Sequence, residues 1–274
     1  MTLFESNLYW ARPAEPNGTA VLVLAGSSGR IDTGRVDMLA THGVTALGVR
    51  WFGGEGQPAV PLEVPLETFI EALELLAPDA DRLVLMGLSF GAEAALLTVA
   101  NGPDLDAVIA LQPTDVAWEG QASRDDDPHR SKWTLDGKPV PFVPLDRSWQ
   151  PPTSGKPAFV DYYEHSRAVA GPDAVAAATI PVENITADVL VVAAGDDKVW
   201  ASLPQANRIV ERRAAAGRHS VLVADEHAGH PVVLPGEAAP GLDRPYQVGG
   251  DADAPQRLGR AAWPHIAQML NITA

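Results

Sequence analysis

Residues 83–97 read LVLMGLSFGAEAALL, an apolar, branched run that passes straight into a helix-period stretch of small residues, with one serine between two glycines at the junction. Gly87-Leu88-Ser89-Phe90-Gly91 fits the pattern G-x-S-x-G, in which a buried strand turns sharply into a helix. Such a turn strains the backbone at the serine, and glycines two residues to either side let strand and helix approach without Cβ clashes. The Ser89 hydroxyl would then stand exposed at the C-terminal edge of a sheet. A plainer reading gives Ser89 only the task of capping the helix that follows. The two part on whether a base and an acid lie downstream.

The rest of the chain supplies the sheet that this turn needs. TAVLVLAG (19–26), GVTALGVRW (43–51), DRLVLMG (81–87), LDAVIALQ (105–112), ADVLVVAAG (187–195) and RHSVLVAD (218–225) are apolar with little alternation, the pattern of strands buried on both faces. Helix-period stretches lie between them: TGRVDMLATH (33–42), PLETFIEALELLA (65–77), GAEAALLTVA (91–100) and LPQANRIVERRAAAG (203–217), the last closed by Gly217. Strand-helix alternation with right-handed crossovers predicts an α/β fold, a mostly parallel central sheet flanked by helices. From about Ala117 to Thr179 the rhythm stops. This segment has no strand run, but prolines, charges and the aromatics Trp118, Trp133, Phe142, Trp149, Phe159, Tyr162 and Tyr163. A segment this long inside one domain spanning 1–274 reads as a lid-like insertion. Its aromatics fit an apolar substrate pocket as well as they fit a small core of the insertion's own.

Composition narrows the function classes. The chain has 274 residues, 46% of them hydrophobic, enough to bury a full core. A net charge of -15 argues against nucleic acid and anionic membranes as partners. The absence of cysteine removes disulfides, thiolate metal sites and a cysteine nucleophile. The start, MTLFESNLYWARPAEPNG, lacks the features of a signal peptide. No apolar run approaches the ~20 residues that cross a bilayer, so the expected location is the cytoplasm. No histidine or carboxylate cluster has ligand spacing, so neither a metal nor another cofactor is expected.

A serine hydroxyl is a weak nucleophile until an imidazole takes its proton, and that imidazole is oriented by a carboxylate. Where G-x-S-x-G sits on a strand-to-helix turn, acid and histidine follow in that order on loops after later strands. After ADVLVVAAG come Asp196 and Asp197, and after SVLVAD come His227 and His230 within EHAGHP. Either aspartate could instead cap the helix that begins near Ser202. An oxyanion hole would draw one backbone N–H from Phe90 and another from the loop Ala25-Gly26-Ser27-Ser28-Gly29, with Ser27 the expected donor and Ser28 the alternative.

Several stretches, in order, resemble one family. LVLAGSSGRIDTGRVDMLATHGVTALGVRWFGGEGQP, LETFIEALELL before MGLSFGAEAAL, GDDKVWAS, HAGHPVVLPGEAAP and the closing VGGDADAPQRLGRAAWPHIAQML are similar to the C-terminal catalytic domain of the acyl-CoA thioesterase and bile acid-CoA:amino acid N-acyltransferase family, within the dienelactone-hydrolase-like part of the α/β-hydrolase superfamily. The resemblance implies an α/β-hydrolase fold with Ser89 as nucleophile, Asp197 as acid and His230 as base, leaving Asp196 and His227 as neighbours. It implies a small-molecule acyl substrate, CoA- or carrier-linked, and no cofactor. The chain is too short to carry also the β-sandwich domain that precedes this domain in animal members. Members that transfer acyl groups to amino acids typically carry cysteine as nucleophile, so Ser89 favours hydrolysis. The expectation is a serine hydrolase of acyl thioesters; a carboxylic ester hydrolase and an acyltransferase or cyclase are the alternatives. Arg124, Arg130, Lys132, Lys138 and Arg147 could meet the phosphates of a CoA group, but with Asp125, Asp126 and Asp127 among them they read more simply as a solvated charged surface.

Overall fold

A computed structural model describes residues 3–121, 127–238 and 244–273. In chain order the strands are β1 (Leu8–Ala11), β2 (Thr19–Leu24), β3 (Thr45–Val49), β4 (Val64–Pro65), β5 (Arg82–Leu88), β6 (Ala107–Leu111), β7 (Trp133–Leu135), β8 (Lys138–Pro139), β9 (Asp188–Ala194) and β10 (Val221–Asp225). The α-helices are α1 (Thr33–Thr41), α2 (Glu67–Leu76), α3 (Phe90–Asn101), α4 (Val160–Ala178), α5 (Ser202–Ala215) and α6 (Ala254–Met269).

Seven strands form the main sheet in the order β1-β3-β2-β5-β6-β9-β10. All pair in parallel except β1, which runs antiparallel along β3. The continuous apolar runs have a direct cause: successive side chains point to opposite faces, and helices cover both. Leu22 and Leu24 of β2 join Leu85, Val108 and Val191 beneath α2, α3 and α5. Val21 and Val23 join Met86 and Ile109 on the other face, beneath α1 and α6. The registers Leu24↔Gly87, Leu88↔Leu111 and Leu111↔Val192 bring the C-terminal ends of β2, β5, β6 and β9 level.

The 117–179 segment departs from its sequence reading, for it contains strands and a long helix. β7 and β8 form a hairpin whose tip residues Asp136 and Gly137 both hold positive φ (51° and 69°), the geometry of a tight hairpin turn. With β4 they make a second sheet, β4-β7-β8. These strands have three and two residues, too few for a period to show. The Asp-Gly pair was the available signal. β1 escaped for a similar reason, being four half-buried residues at the sheet edge. α4 breaks at Gly171 (φ 78°), followed by Pro172, and buries only Tyr163, Ser166 and Ala178, which leaves almost no apolar stripe to read.

The insertion's aromatics divide between two environments. Trp118 and Trp133 are fully buried in the core of the main sheet, where Trp133 lies 5.1 Å from Trp51 and 5.9 Å from Phe69. Trp149, Phe159 and Tyr162 are half-buried, with the Trp149 and Tyr162 rings stacked at 4.9 Å. The basic residues are not a solvated surface throughout. Lys132 has no exposure and pairs with Glu93 at 2.7 Å, Arg130 pairs with Glu63, and Arg147 with Glu119 at 2.7 Å. Lys138 is exposed. Arg124, Asp125 and Asp126 lie outside the described residues.

Candidate active site

In the strand order β3-β2-β5, the connections from β2 and β5 leave toward opposite sides, the place where an α/β sheet opens a crevice at its C-terminal edge. The loops that follow these two strands carry Gly26-Ser27 and Ser89. Ser89 adopts φ 58°, ψ -119° between β5 and α3, a strained conformation that persists only where its surroundings impose it. A Cβ on Gly87 would fall 2.0 Å from the Gly91 carbonyl oxygen, and one on Gly91 2.4 Å from that of Leu24. Both motif glycines are therefore required by contact. The Ser89 N–H donates to the Leu111 carbonyl at 2.9 Å, and the Ser89 carbonyl accepts from Ala92 and Glu93 N–H. The side chain caps nothing in α3, so the capping reading fails.

Gly26 lies directly against the serine: a Cβ there would stand 3.2 Å from Ser89 Cβ and 3.7 Å from its Oγ. Ser27, the next residue, is exposed. Phe90 opens α3, at the end of a helix where N–H groups have no intrahelical acceptor. Ser28 instead uses its Oγ to accept from the Arg30 N–H at 3.3 Å.

Asp197 and His230 are brought together across 33 residues. The imidazole Nδ1 lies 2.8 Å from Asp197 Oδ2. The other carboxylate oxygen accepts from Val199 N–H (2.8 Å) and Trp200 N–H (3.3 Å), so the acid is fixed on both sides. Both residues are buried. A carboxylate can only accept, which places the Nδ1 proton on the ring and leaves the Nε2 lone pair free. Asp196 points elsewhere, to Lys198 Nζ at 2.6 Å and the Gly250 N–H at 2.8 Å, and these contacts hold its carboxyl below the usual range. His227 is exposed.

Among the described residues no hydrogen bond joins Ser89 Oγ to His230, a spacing common before substrate arrives. Trp200 packs beside both, its ring 5.9 Å from that of His230 and 5.7 Å from that of Phe90, the residue after Ser89. Tyr163 of the insertion packs on Trp200 at 5.6 Å.

Two supporting features escaped the sequence reading. Val248-Gly249-Gly250 runs between the acid and histidine loops: the Val248 carbonyl accepts the His230 N–H at 2.7 Å, and a Cβ on Gly249 would fall 1.7 Å from the Asp196 carbonyl oxygen. The paired glycines were its signal. The second is Glu93, in the first turn after Ser89. It accepts from Trp118 N–H (2.9 Å), Trp133 Nε1–H (2.7 Å) and Lys132 Nζ (2.7 Å), and that ammonium sits 3.4 Å from the centroid of the Phe90 ring. Burial pulls Lys132 below the ordinary lysine range against the opposing pull of Glu93.

Residues 64–247, which include Ser89, Asp197 and His230, match the family described as BAAT / acyl-CoA thioester hydrolase C terminal. The chain belongs to that family. It has the α/β-hydrolase fold, and solved structures agree. A puromycin-hydrolyzing peptidase from Mycobacterium tuberculosis superposes with a TM-score of 0.59 at 16% identity, over 97% of this chain and 37% of that one. An acylaminoacyl peptidase from Pyrococcus horikoshii gives 0.55 at 12%, over 95% and 39%. A protein assigned as a dienelactone hydrolase from Klebsiella pneumoniae gives 0.54 at 15%, over 97% and 92%. The chain thus spans under two-fifths of either peptidase and most of the third protein. At such identities the likeness is one of fold. No curated protein matches the chain in sequence. Among the described residues no helix is long and apolar enough to cross a membrane.

Proposed function

We propose that this α/β-hydrolase is a serine hydrolase that cleaves an acyl thioester, CoA- or carrier-linked, through an acyl-Ser89 intermediate. The observation that carries the reading is the pairing of a strained Ser89 on the β5–α3 turn with a buried His230–Asp197 contact of 2.8 Å at the same sheet edge. The thioester part of the reading rests on the family, whose description names that bond.

His230 Nε2 takes the Ser89 proton as Oγ attacks the acyl carbonyl. Asp197 holds the ring in the required tautomer and stabilises the imidazolium that forms. Phe90 and Ser27 N–H groups bind the developing oxyanion. Protonated by His230, the thiolate leaves as a thiol, and water activated by the same histidine hydrolyses the acyl-enzyme. The 117–179 insertion acts as a wall of the acyl pocket, through Tyr163 against Trp200 and the half-buried Trp149 and Tyr162 beyond it.

The test compares wild type with Ser89→Ala on butyryl-CoA and p-nitrophenyl butyrate, reporting kcat/KM for each. Turnover of the thioester that exceeds that of the ester, and falls about 10⁴-fold or more in the variant, is the expected result. Serine-dependent turnover of the ester with no gain from CoA would overturn the thioester assignment and keep the nucleophile. Turnover unaffected by Ser89→Ala would overturn the mechanism.

A further inference from the structure

Among the described residues two buried positions other than glycine hold a positive φ: Ser89 at 58° and Gln112 at 50°. A residue with a side chain keeps such a conformation only where its surroundings over-determine it. Gln112 follows β6 and has no exposed surface. Each of its polar groups has a partner. Its N–H donates to the Val192 carbonyl at 2.7 Å, and its carbonyl accepts from Trp200 Nε1–H at 3.2 Å. The side-chain Nε2 donates to the Gly229 carbonyl at 3.0 Å, and Oε1 accepts from Ser202 Oγ at 2.8 Å.

These partners belong to the two loops that the mechanism needs. Gly229 immediately precedes His230, and Trp200 gives its own N–H to Asp197. Leu111, immediately before Gln112, accepts the Ser89 N–H at 2.9 Å. One short stretch at the end of β6 therefore touches nucleophile, acid loop and histidine loop. We infer that Gln112 is a positioning residue, whose side-chain amide sets the histidine loop and the start of α5 against the strand end that holds Ser89. The inference rests on the serine-hydrolase reading above. Being fully buried, Gln112 meets no substrate and acts through His230. The side chain uses both a donor and an acceptor, giving its Nε2–H to the Gly229 carbonyl and taking the Ser202 hydroxyl on Oε1. Its backbone bonds to Val192 and Trp200 survive any substitution that keeps the chain path, so the side chain can be tested separately.

The experiment uses Gln112→Met, which keeps the shape without polar atoms, and Gln112→Glu, which keeps the acceptor toward Ser202 but turns the donor facing Gly229 into a second acceptor. Each is assayed with p-nitrophenyl butyrate beside wild type and Ser89→Ala, and kcat is expressed per Ser89 titrated by a fluorophosphonate. That normalisation removes unfolded protein, so a merely structural role would leave it unmoved. Misplacement of a catalytic group lowers rate without lost binding, and the expected result is a fall of roughly 10–100-fold in kcat and in labelling rate with KM within about threefold. A Gln112→Met enzyme whose kcat per labelled site stays within about threefold of wild type would overturn the inference while leaving the triad standing. Should Gln112→Met fail to fold, Gln112→Asn is read by the same criterion, since asparagine tolerates this backbone and its amide is one methylene too short to reach Gly229. A wild type that neither turns over ester nor takes label at Ser89 would overturn both readings together.

Discussion

Lys132→Met tests the buried charge beneath the β5–α3 turn. In the native chain Glu93 has three donors: the Lys132 ammonium and two neutral N–H groups from Trp118 and Trp133. The substitution leaves a carboxylate with no exposure and only the neutral donors. Breaking a buried pair from one side costs about 3–5 kcal/mol. With an unfolding entropy of about 2.1 cal/mol/K per residue, 274 residues give about 0.58 kcal/mol/K, so the melting temperature falls by about 5–9 °C. Adding Glu93→Gln removes the stranded charge while its Oε1 still accepts from both tryptophans, leaving one unpaired amide NH₂ at a cost of about 1–3 kcal/mol. At the midpoints of these costs, about 4 against about 2 kcal/mol, the double variant should melt about 3 °C above Lys132→Met. Thermal unfolding followed by circular dichroism measures both. A Lys132→Met protein that melts within about 2 °C of wild type, or a double variant no more stable than the single one, would refute the assignment of a net-stabilising buried pair.

Ser89→Gly should be more stable than Ser89→Ala by about 1–3 kcal/mol in urea unfolding, because glycine takes φ 58°, ψ -119° without the strain that alanine shares with serine. Asp197→Asn keeps an oxygen for the Val199 and Trp200 amides but offers His230 Nδ1 an NH₂ group, which forces the ring proton to Nε2; kcat should fall about 10⁴-fold with little change in KM. Asp115 is buried, which alone would raise its pKa, yet hydrogen bonds and charge from Arg208 and Arg167 outweigh this and hold it below the ordinary value of 3.8. Its stabilisation is complete above that value and is lost as pH falls through the lowered folded-state pKa, so acid titration should show a shallower loss of stability below pH 3.8 in Asp115→Asn than in wild type.

How much was legible follows from where each constraint resides. The main strands could be read because burial on both faces confines polar residues to their ends, as at Thr19 of β2, and leaves none in β6, and the serine turn because its glycine contacts lie within four residues of each other or one strand away. The loops that carry Asp197 and His230 could be read because each follows a strand, whereas only the resemblance preferred these two over Asp196 and His227. The contact between Asp197 and His230 is a product of the sheet, which sets β9 beside β10. Gln112 was unreadable: its value lies in Gly229 and Ser202, 117 and 90 residues distant. Glu93 left a trace, since every residue of α3 from Phe90 to Ala100 is buried, and a lone charge in such a helix demands a partner. The sequence does not show that the partner is Lys132, 39 residues on.

The Glu93–Lys132 contact also constrains how this molecule can be diversified. Residues 131–143 contribute Ser131, Lys132, Trp133 and Val143 to buried positions, and Lys132 and Trp133 bond to Glu93 of α3, the helix that follows Ser89. Exchanging this stretch for that of a relative would strand Glu93 unless residue 93 travelled with the graft. Position 93 and residues 131–143 form a single unit of inheritance, and a library that varies one while fixing the other would carry the cost of a broken buried pair, about 3–5 kcal/mol, in most of its members.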